Sequence, residues 1–353
     1  LPSCHMTANM AASWLIGVCL LLPISVSWVN TKSPSLPLVI NTWPFTNATQ
    51  KAWEVMSQGS AKALDAVVAG CGQCQTQQCD GTVGYGGSPD ETGETTLDAM
   101  IMNGDTFEVG SVGDLRRVKD AIGVARAVMD YTQHTLLAGE AATRFAVDMG
   151  FKEESLSTNS SVQMWKDWKN NHCQPNYRKN VSPDPKTHCG PYKPSSNVEE
   201  RQRASDRVGR NNHDTIGMVV VDKNSRVMAG TTTNGMNHKV PGRIGDSPIV
   251  GAGAYASSGV GGAAATGDGD IMMRFLPAFH AVTLLGQGLT VTKAAQVAMA
   301  PIAKAYPTFS GAVVVADSKG NFGAACHGLQ GGFHYSVANQ QIGQVKVYVV
   351  SCT

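Results

Sequence analysis

The sequence lacks an excess of charge of either sign, because 28 Lys and Arg residues are balanced by 27 Asp and Glu residues. It has no basic stripe, and so it lacks the electrostatic footprint of a nucleic-acid binder. Charged residues make up 16% of the 353 residues and hydrophobic residues 42%, which is enough for a sizeable core. The composition predicts a globular protein without a nucleic-acid partner.

Two kinds of motif are also missing. The stretch CGQCQTQQC (71–79) has no second Cys or His pair at ligand spacing, so disulfide formation is favoured there over zinc binding. The Gly-rich stretch AAATGDGD (263–270) reads as a loop before a helix start and suggests a phosphate cradle. It contains no GxxxxGK[ST] pattern, however, and the chain has no clean GxGxxG after a strand. A nucleotide site is therefore only weakly supported.

One apolar run stands at the N-terminus, from about residue 11 to 29. It is too short and interrupted to span a bilayer comfortably, and small residues follow it. We interpret residues 1–31 as a secretory leader with some upstream sequence, although no Lys or Arg precedes the run. A buried N-terminal helix is the weaker alternative, because the run shows no amphipathic period.

The cysteines agree with an oxidising, secretory route. Two of the nine fall in the leader, and proximity along the chain predicts disulfides among the other seven. The predicted pairs are Cys74–Cys79, Cys173–Cys189 and Cys326–Cys352. Cys71 is then left unpaired. Sequons at Asn47, Asn159 and Asn180 fit the same route; Asn47 is predicted to carry glycan, and Pro183 disfavours Asn180.

Hydrophobic patterning predicts a layered α/β sandwich with helices outside two stacked antiparallel sheets. Two stretches with the same strand-turn-strand plan, 215–230 and 311–326, carry this prediction. Further strands are predicted at 37–45, in a hairpin around Asn103-Gly104, and at 333–337 and 345–350. Helices are predicted near 48–56, 60–70, 118–129, 139–149, 270–285 and 292–306. Pro277 should kink or interrupt the helix at 270–285.

The junction at Asp214-Thr215 raises a separate question. Residues 174–210 are rich in Pro, Asn, Lys and Arg and read as a loop or tether, whereas a buried strand begins at Thr215. A polar turn is the ordinary interpretation of His-Asp-Thr before a strand. A more specific interpretation is that the chain is cut before Thr215. The new α-amine, with an ordinary pKa of about 7.7 to 8.0, could then accept the hydroxyl proton of the same residue.

Four motifs in order, HDTIGMVV, GTTTNG, GRIGDSPIVGAGAYA and AAATGDGD, resemble those of the glycosylasparaginases, a family of N-terminal nucleophile hydrolases. The resemblance also covers NTWPF and the cysteine-containing stretches, so it includes essentially the whole chain after the leader. It implies a four-layer αββα sandwich. It further implies self-cleavage between Asp214 and Thr215 into an α subunit (32–214) and a β subunit (215–353) that belong to one domain.

The resemblance assigns catalytic roles to a set of small residues. Thr215 would be the nucleophile, Thr233 would help to orient it, and Thr266 with Gly267 would form the oxyanion hole. From the residues alone, Thr233 is equally well explained as a β-branched strand residue, because two more threonines stand beside it.

The resemblance also assigns substrate-binding residues. Arg243 and Asp246 would hold the α-carboxylate and α-ammonium groups of the substrate, while Trp43 and Gly267 would border it. The ordinary alternative for Arg243 and Asp246 is a solvated ion pair worth little, and for Trp43 it is packing at a strand end.

The implied activity is hydrolysis of the amide that joins N-acetylglucosamine to asparagine in glycoprotein remnants, without metal or cofactor. The resemblance implies a lysosomal enzyme of two α and two β subunits, with a small glycosylated asparagine as its partner and no membrane contact once the leader is removed. Two alternatives stand beside it. One is an asparaginase or isoaspartyl-peptide hydrolase of the same superfamily, and the other is a secreted binding protein that keeps the fold without catalysis.

Overall fold

A computed structural model of the chain describes residues 35–58, 63–195 and 215–353. The predicted leader and Asp214 lie outside the described residues. All described residues belong to one compact unit. None of the helices in this part of the chain is long and apolar enough to cross a membrane.

The larger sheet of the described residues has eight strands from both halves of the chain. In sheet order they are β14 (Lys346–Val350), β13 (Phe333–Asn339), β1 (Leu38–Thr42), β7 (Ile216–Val221), β8 (Val227–Thr233), β2 (Leu97–Asn103), β3 (Val109–Leu115) and β4 (Leu136–Ala138). Neighbouring strands are antiparallel except β3 and β4. Because β1 pairs with β7, the strand that begins after Thr215 lies inside the sheet with a neighbour on each side.

The smaller sheet has four antiparallel strands within the described ranges. In sheet order they are β12 (Phe322–His327), β11 (Gly311–Asp317), β10 (Gly261–Gly267) and β9 (Ala254–Ser257). The two predicted hairpins are therefore confirmed as β7–β8 and β11–β12, one in each sheet. A separate short hairpin is formed by β5 (Val181–Ser182) and β6 (Lys193–Pro194). The loop predicted at 174–210 therefore contains some regular structure in its described part, 174–195, and the remainder lies outside the described residues.

Helices cover the two sheets on opposite sides. They are α1 (Thr46–Ser57), α2 (Ala63–Gln77), α3 (Ala121–Tyr131), α4 (Gly139–Asp148), α5 (Asn159–Asn170), α6 (Gly269–Met272), α7 (Pro277–Gly286) and α8 (Val291–Ala305), with a 3-10 turn at Cys79–Gly81. Helices α2 and α3 pack on the larger sheet and α7 and α8 on the smaller one, while β7 and β8 face β9 and β10. The predicted four-layer αββα sandwich is confirmed. Pro277 interrupts the predicted helix at 270–285, because α6 ends before it and α7 begins with it.

The first five residues of the Gly-rich stretch at 263–270, predicted as a loop, instead belong to β10, a fully buried central strand. The predicted helix start follows it, because Asp268 caps α6. The small residues of β10 are required by the close approach of the two sheets. A Cβ atom at Gly262 would lie 2.7 Å from Val219 and 2.9 Å from Val227 of the facing sheet. Low β-propensity is overridden here by the space between the layers.

Two further sequence predictions need correction. Hydrophobic patterning does not predict helix α5, because its sequence is mostly polar. Trp168 and Ser161 are the buried residues among those described in this helix. A capping box between Thr158 and Ser161 fixes its start. The strand predicted over 37–45 ends at Thr42, because Trp43 adopts a left-handed φ of 62° that leaves the extended region.

The described residues contain the three predicted disulfides. Cys71 is free and buried on α2, and burial raises the pKa of its thiol to about 12. The bridge between Cys326 and Cys352 joins β12 of the smaller sheet to the segment after β14 of the larger sheet. It therefore ties the two sheets together covalently at one side of the sandwich.

Candidate active site

Thr215 directly precedes β7 and is fully buried. Its amide nitrogen donates to Thr266 Oγ1 at 3.1 Å, and its carbonyl accepts from Thr42 Oγ1 at 2.6 Å. Thr42 Oγ1 also accepts from the amide of Gly217 at 2.9 Å. The Thr215 hydroxyl lies 3.4 Å from Ser247 Oγ. Both backbone polar groups of Thr215 are thus held by hydroxyls, and its own hydroxyl faces a third.

Thr266, at the end of β10, receives two donors. Trp43 Nε1 donates to its Oγ1 at 2.9 Å, in addition to the Thr215 amide. A hydroxyl has two lone pairs and one O–H, so the proton of Thr266 remains to be donated elsewhere. This is the arrangement that an oxyanion-stabilising hydroxyl requires, since such a group must donate to the developing charge.

Trp43 contacts Thr266 from an unusual backbone conformation. Its φ of 62° places a bulky residue in the left-handed region, at a cost of about 1 to 3 kcal/mol. The indole packs edge-on against Phe333 with ring centroids 5.2 Å apart. The ring is thus held from one side by the core while its N–H is directed at Thr266.

Gly267 follows Thr266 and has a φ of 131°. An added Cβ atom would overlap the backbone of Gly311 and Ser310. The position therefore admits glycine alone, both for its conformation and for lack of space. The close approach of the β10 backbone to Ser310 and Gly311, directly after Thr266, thus depends on this glycine.

Arg243 lies in the loop between β8 and β9 and is held by Asp270 of α6. Its Nε and Nη2 atoms donate to Asp270 Oδ2 at 3.2 and 3.0 Å. The third nitrogen, Nη1, is buried and has no hydrogen-bond partner among the described residues. Burial works to lower the pKa of Arg243, but the carboxylates of Asp270, Asp98 and Asp246 together raise it. The site thus contains a permanent cation with one donor group unused.

Asp246 supplies the opposite charge. It is 1% exposed, and neither of its carboxylate oxygens has a hydrogen-bond partner in the described part of the chain. Burial raises its pKa to about 7; Arg243 acts against this, and the charges of Asp268 and Asp270 add to it. A Cβ atom at Gly269 would lie 2.7 Å from Asp246 Oδ1, so a glycine there leaves room for the carboxylate. An unpaired buried carboxylate is costly unless a ligand satisfies it.

A buried layer supports the loop that carries Arg243 and Asp246. Asp98 accepts from the amide of Gly245 at 3.3 Å. Lys239 donates its Nζ to the carbonyls of Asn234 at 2.9 Å and Ser88 at 3.2 Å, and burial lowers its pKa to about 8. These contacts fix the ends of the segment from Asn234 to Gly245, from which the arginine projects.

The structure brings most of the predicted site residues together. Thr215, Thr266 and Trp43 are joined by hydrogen bonds, and Arg243 and Asp246 are close enough for each charge to affect the pKa of the other. Within the described residues, no group of three or more His, Cys, Asp or Glu side chains could hold a metal ion.

Two other predicted positions lie as follows. Thr233 ends β8; its hydrogen bonds include one to the Thr82 carbonyl at 3.3 Å and one from the Gly235 amide at 3.0 Å. Asn47 is exposed on α1 and donates to Gln77 Oε1 at 3.2 Å.

Sequence reasoning missed two residues of the site. Ser247 contacts the Thr215 hydroxyl, and its carbonyl accepts from Thr231 at 2.6 Å. Asp270 pairs with Arg243, where the sequence suggested Asp246 as the neighbour. Their positions in the sequence could have indicated both residues, since Ser247 directly follows Asp246 and Asp270 ends the GDGD motif.

The chain is similar in sequence to a known family and to several known proteins. Residues 20–347 match the model of the asparaginase family (Asparaginase_2). The chain is 54% identical over 321 residues to the N(4)-(Beta-N-acetylglucosaminyl)-L-asparaginase of Rattus norvegicus, with 91% of this chain and 92% of that protein covered. It is 54% identical over 311 residues to the Mus musculus protein of that name, covering 88% and 89%. A putative N(4)-(beta-N-acetylglucosaminyl)-L-asparaginase of Drosophila melanogaster is 55% identical over 307 residues, covering 85% and 78%.

Proposed function

Since the chain belongs to the asparaginase family, and within it to the glycosylasparaginases of the N-terminal nucleophile superfamily, we propose that this amidohydrolase cleaves the amide between N-acetylglucosamine and L-asparagine. The observation that carries the proposal is the pair of buried, unpartnered groups at Arg243 Nη1 and the Asp246 carboxylate. A free amino acid offers one carboxylate and one ammonium group, which satisfy both by charge-assisted hydrogen bonds. Ser247 joins this pair to Thr215, because it follows Asp246 and touches the Thr215 hydroxyl.

The proposed reaction begins with Thr215 as the N-terminal residue of the β subunit. Its α-amine accepts the hydroxyl proton, and Oγ1 attacks the side-chain amide carbon of the substrate. The Thr266 hydroxyl, with its proton free to donate, and the adjacent Gly267 backbone stabilise the oxyanion. The amine then returns its proton to the departing glycosylamine nitrogen, which leaves a β-aspartyl ester on Thr215. A water molecule, deprotonated by the same amine, hydrolyses the ester and releases aspartate.

The α-amine in this scheme requires self-cleavage at Asp214-Thr215. In the uncut chain the Thr215 nitrogen is an amide and cannot act as a base. We propose that Thr215 Oγ1 attacks the carbonyl carbon of Asp214. The C–N bond then breaks, the nitrogen takes up the hydroxyl proton to become the α-amine, and Asp214 is left as an ester on Oγ1. Water hydrolyses this ester, which releases the Asp214 carboxylate and restores the Thr215 hydroxyl. The hydroxyls of Thr266 and Thr42 support the proposal by holding the nitrogen and carbonyl of Thr215 while its side chain is buried.

A substrate panel tests the proposed function. Cut protein is incubated with N-acetylglucosaminyl-asparagine, free asparagine and a β-aspartyl dipeptide, and released aspartate is measured by amino-acid analysis. We expect the highest kcat/KM for the glycosylated substrate. A preference for the dipeptide would favour an isoaspartyl-peptide hydrolase, and no aspartate from any substrate would favour a binding protein. Arg243→Ala serves as control: it should be cut normally but lose on the order of 1.5 to 3 kcal/mol of substrate binding.

We also propose a secretory route to the lysosome and an assembly of two α and two β subunits. The disulfides and the exposed sequon at Asn47 support the secretory route. The lysosomal destination and the assembly rest on the resemblance to the family. Light scattering of the cut protein measures the assembly, and imaging of the tagged full chain with a lysosomal marker measures the destination.

A further inference from the structure

Asp270 holds one edge of the Arg243 guanidinium. The two nitrogens on this edge, Nε and Nη2, lie 3.2 and 3.0 Å from Asp270 Oδ2. The Asp270 side chain is 43% exposed and that of Arg243 is 12% exposed. The carboxylate therefore contacts the guanidinium from its solvent side, while the remaining nitrogen, Nη1, is buried with no partner that the described residues supply.

Because the guanidinium is planar, the contact with Asp270 also fixes the orientation of the whole group. All five N–H groups of an arginine lie in one rigid fork, so holding one edge fixes where Nη1 points. Glycines border that nitrogen: added Cβ atoms would lie 2.9 Å from it at Gly245 and 3.5 Å from it at Gly235. The space beside Nη1 is kept free of side chains on these two sides.

Among the acidic residues near Arg243, Asp270 is the one suited to this task. Asp268 is committed to capping α6, because its Oδ1 accepts from the amides of Asp270 and Ile271 at 3.1 and 3.3 Å. Neither carboxylate oxygen of Asp246 has a hydrogen-bond partner within the part of the chain that the structure describes. The Asp268 cap also fixes the backbone of Asp270, so the carboxylate that holds Arg243 is itself anchored.

We propose that Asp270 is a positioning residue: it orients Arg243 so that Nη1 meets the α-carboxylate of the substrate, and it thereby makes the site selective for ligands that carry this group. The inference rests on the proposed function, in which an α-amino acid occupies the site. A competing account is that Asp270 occupies the place of the substrate carboxylate and must be displaced. The two accounts predict opposite effects of removing its charge.

Binding of two simple ligands separates these accounts. L-Aspartate carries both α groups, whereas β-alanine has the same skeleton without the α-carboxylate. Calorimetry on cut protein gives the affinity for L-aspartate directly and that for β-alanine by displacement. We expect Asp270→Asn to weaken L-aspartate binding about tenfold, as for loss of one charged hydrogen bond, and to leave β-alanine binding unchanged. In hydrolysis of the glycosylated substrate, KM should rise by a similar factor at constant kcat.

Two variants serve as controls. Asp270→Glu keeps the charge and should recover most of the L-aspartate affinity, because its longer side chain can still accept from the guanidinium. Asp65→Asn removes an aspartate from an ion pair of 3.2 Å with Arg126 on other elements, and should change neither affinity. If Asp270→Asn is insoluble, Asp270→Ser is measured in its place with the same expectation.

Tighter or unchanged L-aspartate binding in the charge-removing variant would overturn the proposal, and tighter binding would favour the displacement account. Equal weakening for both ligands would also overturn it, since a general structural defect does not discriminate between them. A failure of the proposed function would give a different result from a failure of the positioning role. Wild-type protein that binds L-aspartate in an Asp270-dependent way but releases none from the glycosylated substrate would refute the activity and leave the positioning role standing.

Discussion

Replacing Asp246 with asparagine should stabilise the folded chain at neutral pH while removing its affinity for substrate. The carboxylate is buried, and neither oxygen has a partner among the residues described. Its pKa is raised from an ordinary 3.8 to about 7, chiefly by burial. Such a difference corresponds to about 4 kcal/mol between the ionised and neutral forms. The ionised group therefore lowers the stability of the folded state, a cost that the ammonium group of the proposed substrate would offset.

The sign of the pH dependence follows from proton binding. Between pH 3.8 and about 7 the folded chain holds a proton on Asp246 that the unfolded chain has released. Wild-type stability should thus fall, relative to Asp246→Asn, as the pH rises through this window, and level off above about 7. Between about pH 5 and 7 the difference should grow by about 2 to 3 kcal/mol. A buried, unpartnered amide costs about 1 to 3 kcal/mol, so the net gain at about pH 8 is about 1 to 3 kcal/mol.

The assay is scanning calorimetry of both proteins at several pH values, in a Thr215→Ala background so that every sample is one chain. For a chain of this size each kcal/mol corresponds to about 2 °C in Tm. Asp65→Asn, which alters an exposed ion pair with Arg126, is the matched control and should show no growing difference. A stability difference for Asp246→Asn that is constant with pH, or that shrinks as the pH rises, would refute the reasoning.

Three substitutions test the remaining contacts. Ser247→Ala removes the hydroxyl 3.4 Å from Thr215 Oγ1 and should slow both self-cleavage and hydrolysis about tenfold; timed reducing gels and aspartate release measure this, and unchanged rates would exclude the contact from the chemistry. Trp43→Phe keeps the packing against Phe333 but loses the N–H bond to Thr266, so activity should fall about tenfold with an unchanged circular dichroism spectrum. Gly267→Ala places a Cβ atom against Gly311 at a φ of 131° and should be insoluble or inactive; a soluble, active variant would contradict the steric account.

The sandwich could be predicted from the sequence because its hairpins carry strong local patterns. The runs of β-branched residues in β7 and β11 are each followed by clear turn residues. Each run therefore predicts a strand from its local sequence alone. Strand β10 could not be found in this way. Its glycines and alanines are dictated by the facing sheet, which a Cβ atom at Gly262 would meet, and no local pattern reports that distance.

The candidate site likewise has residues that could be predicted from the sequence and contacts that could not. Motifs that resemble those of the family predicted Thr215, Arg243 and Asp246, and their residue types fit the chemistry of a nucleophile and of an amino-acid ligand. The contacts that orient these groups are long-range. Asp270 reaches Arg243 across 27 positions, and Ser247 reaches Thr215 across 32. A sequence motif shows the residues of such a site but not which carboxylate a guanidinium pairs with.

In the proposed mechanism one hydroxyl, on Thr215, both frees its own amine and attacks the substrate. Intact-mass and N-terminal analysis of the purified protein, with aspartate release measured on the same sample, tests it directly. We predict a fragment that begins at Thr215 and ends at Thr353 in every active preparation, and an uncut, inactive but folded chain for Thr215→Ala. An active enzyme whose Asp214-Thr215 bond is intact would contradict the account.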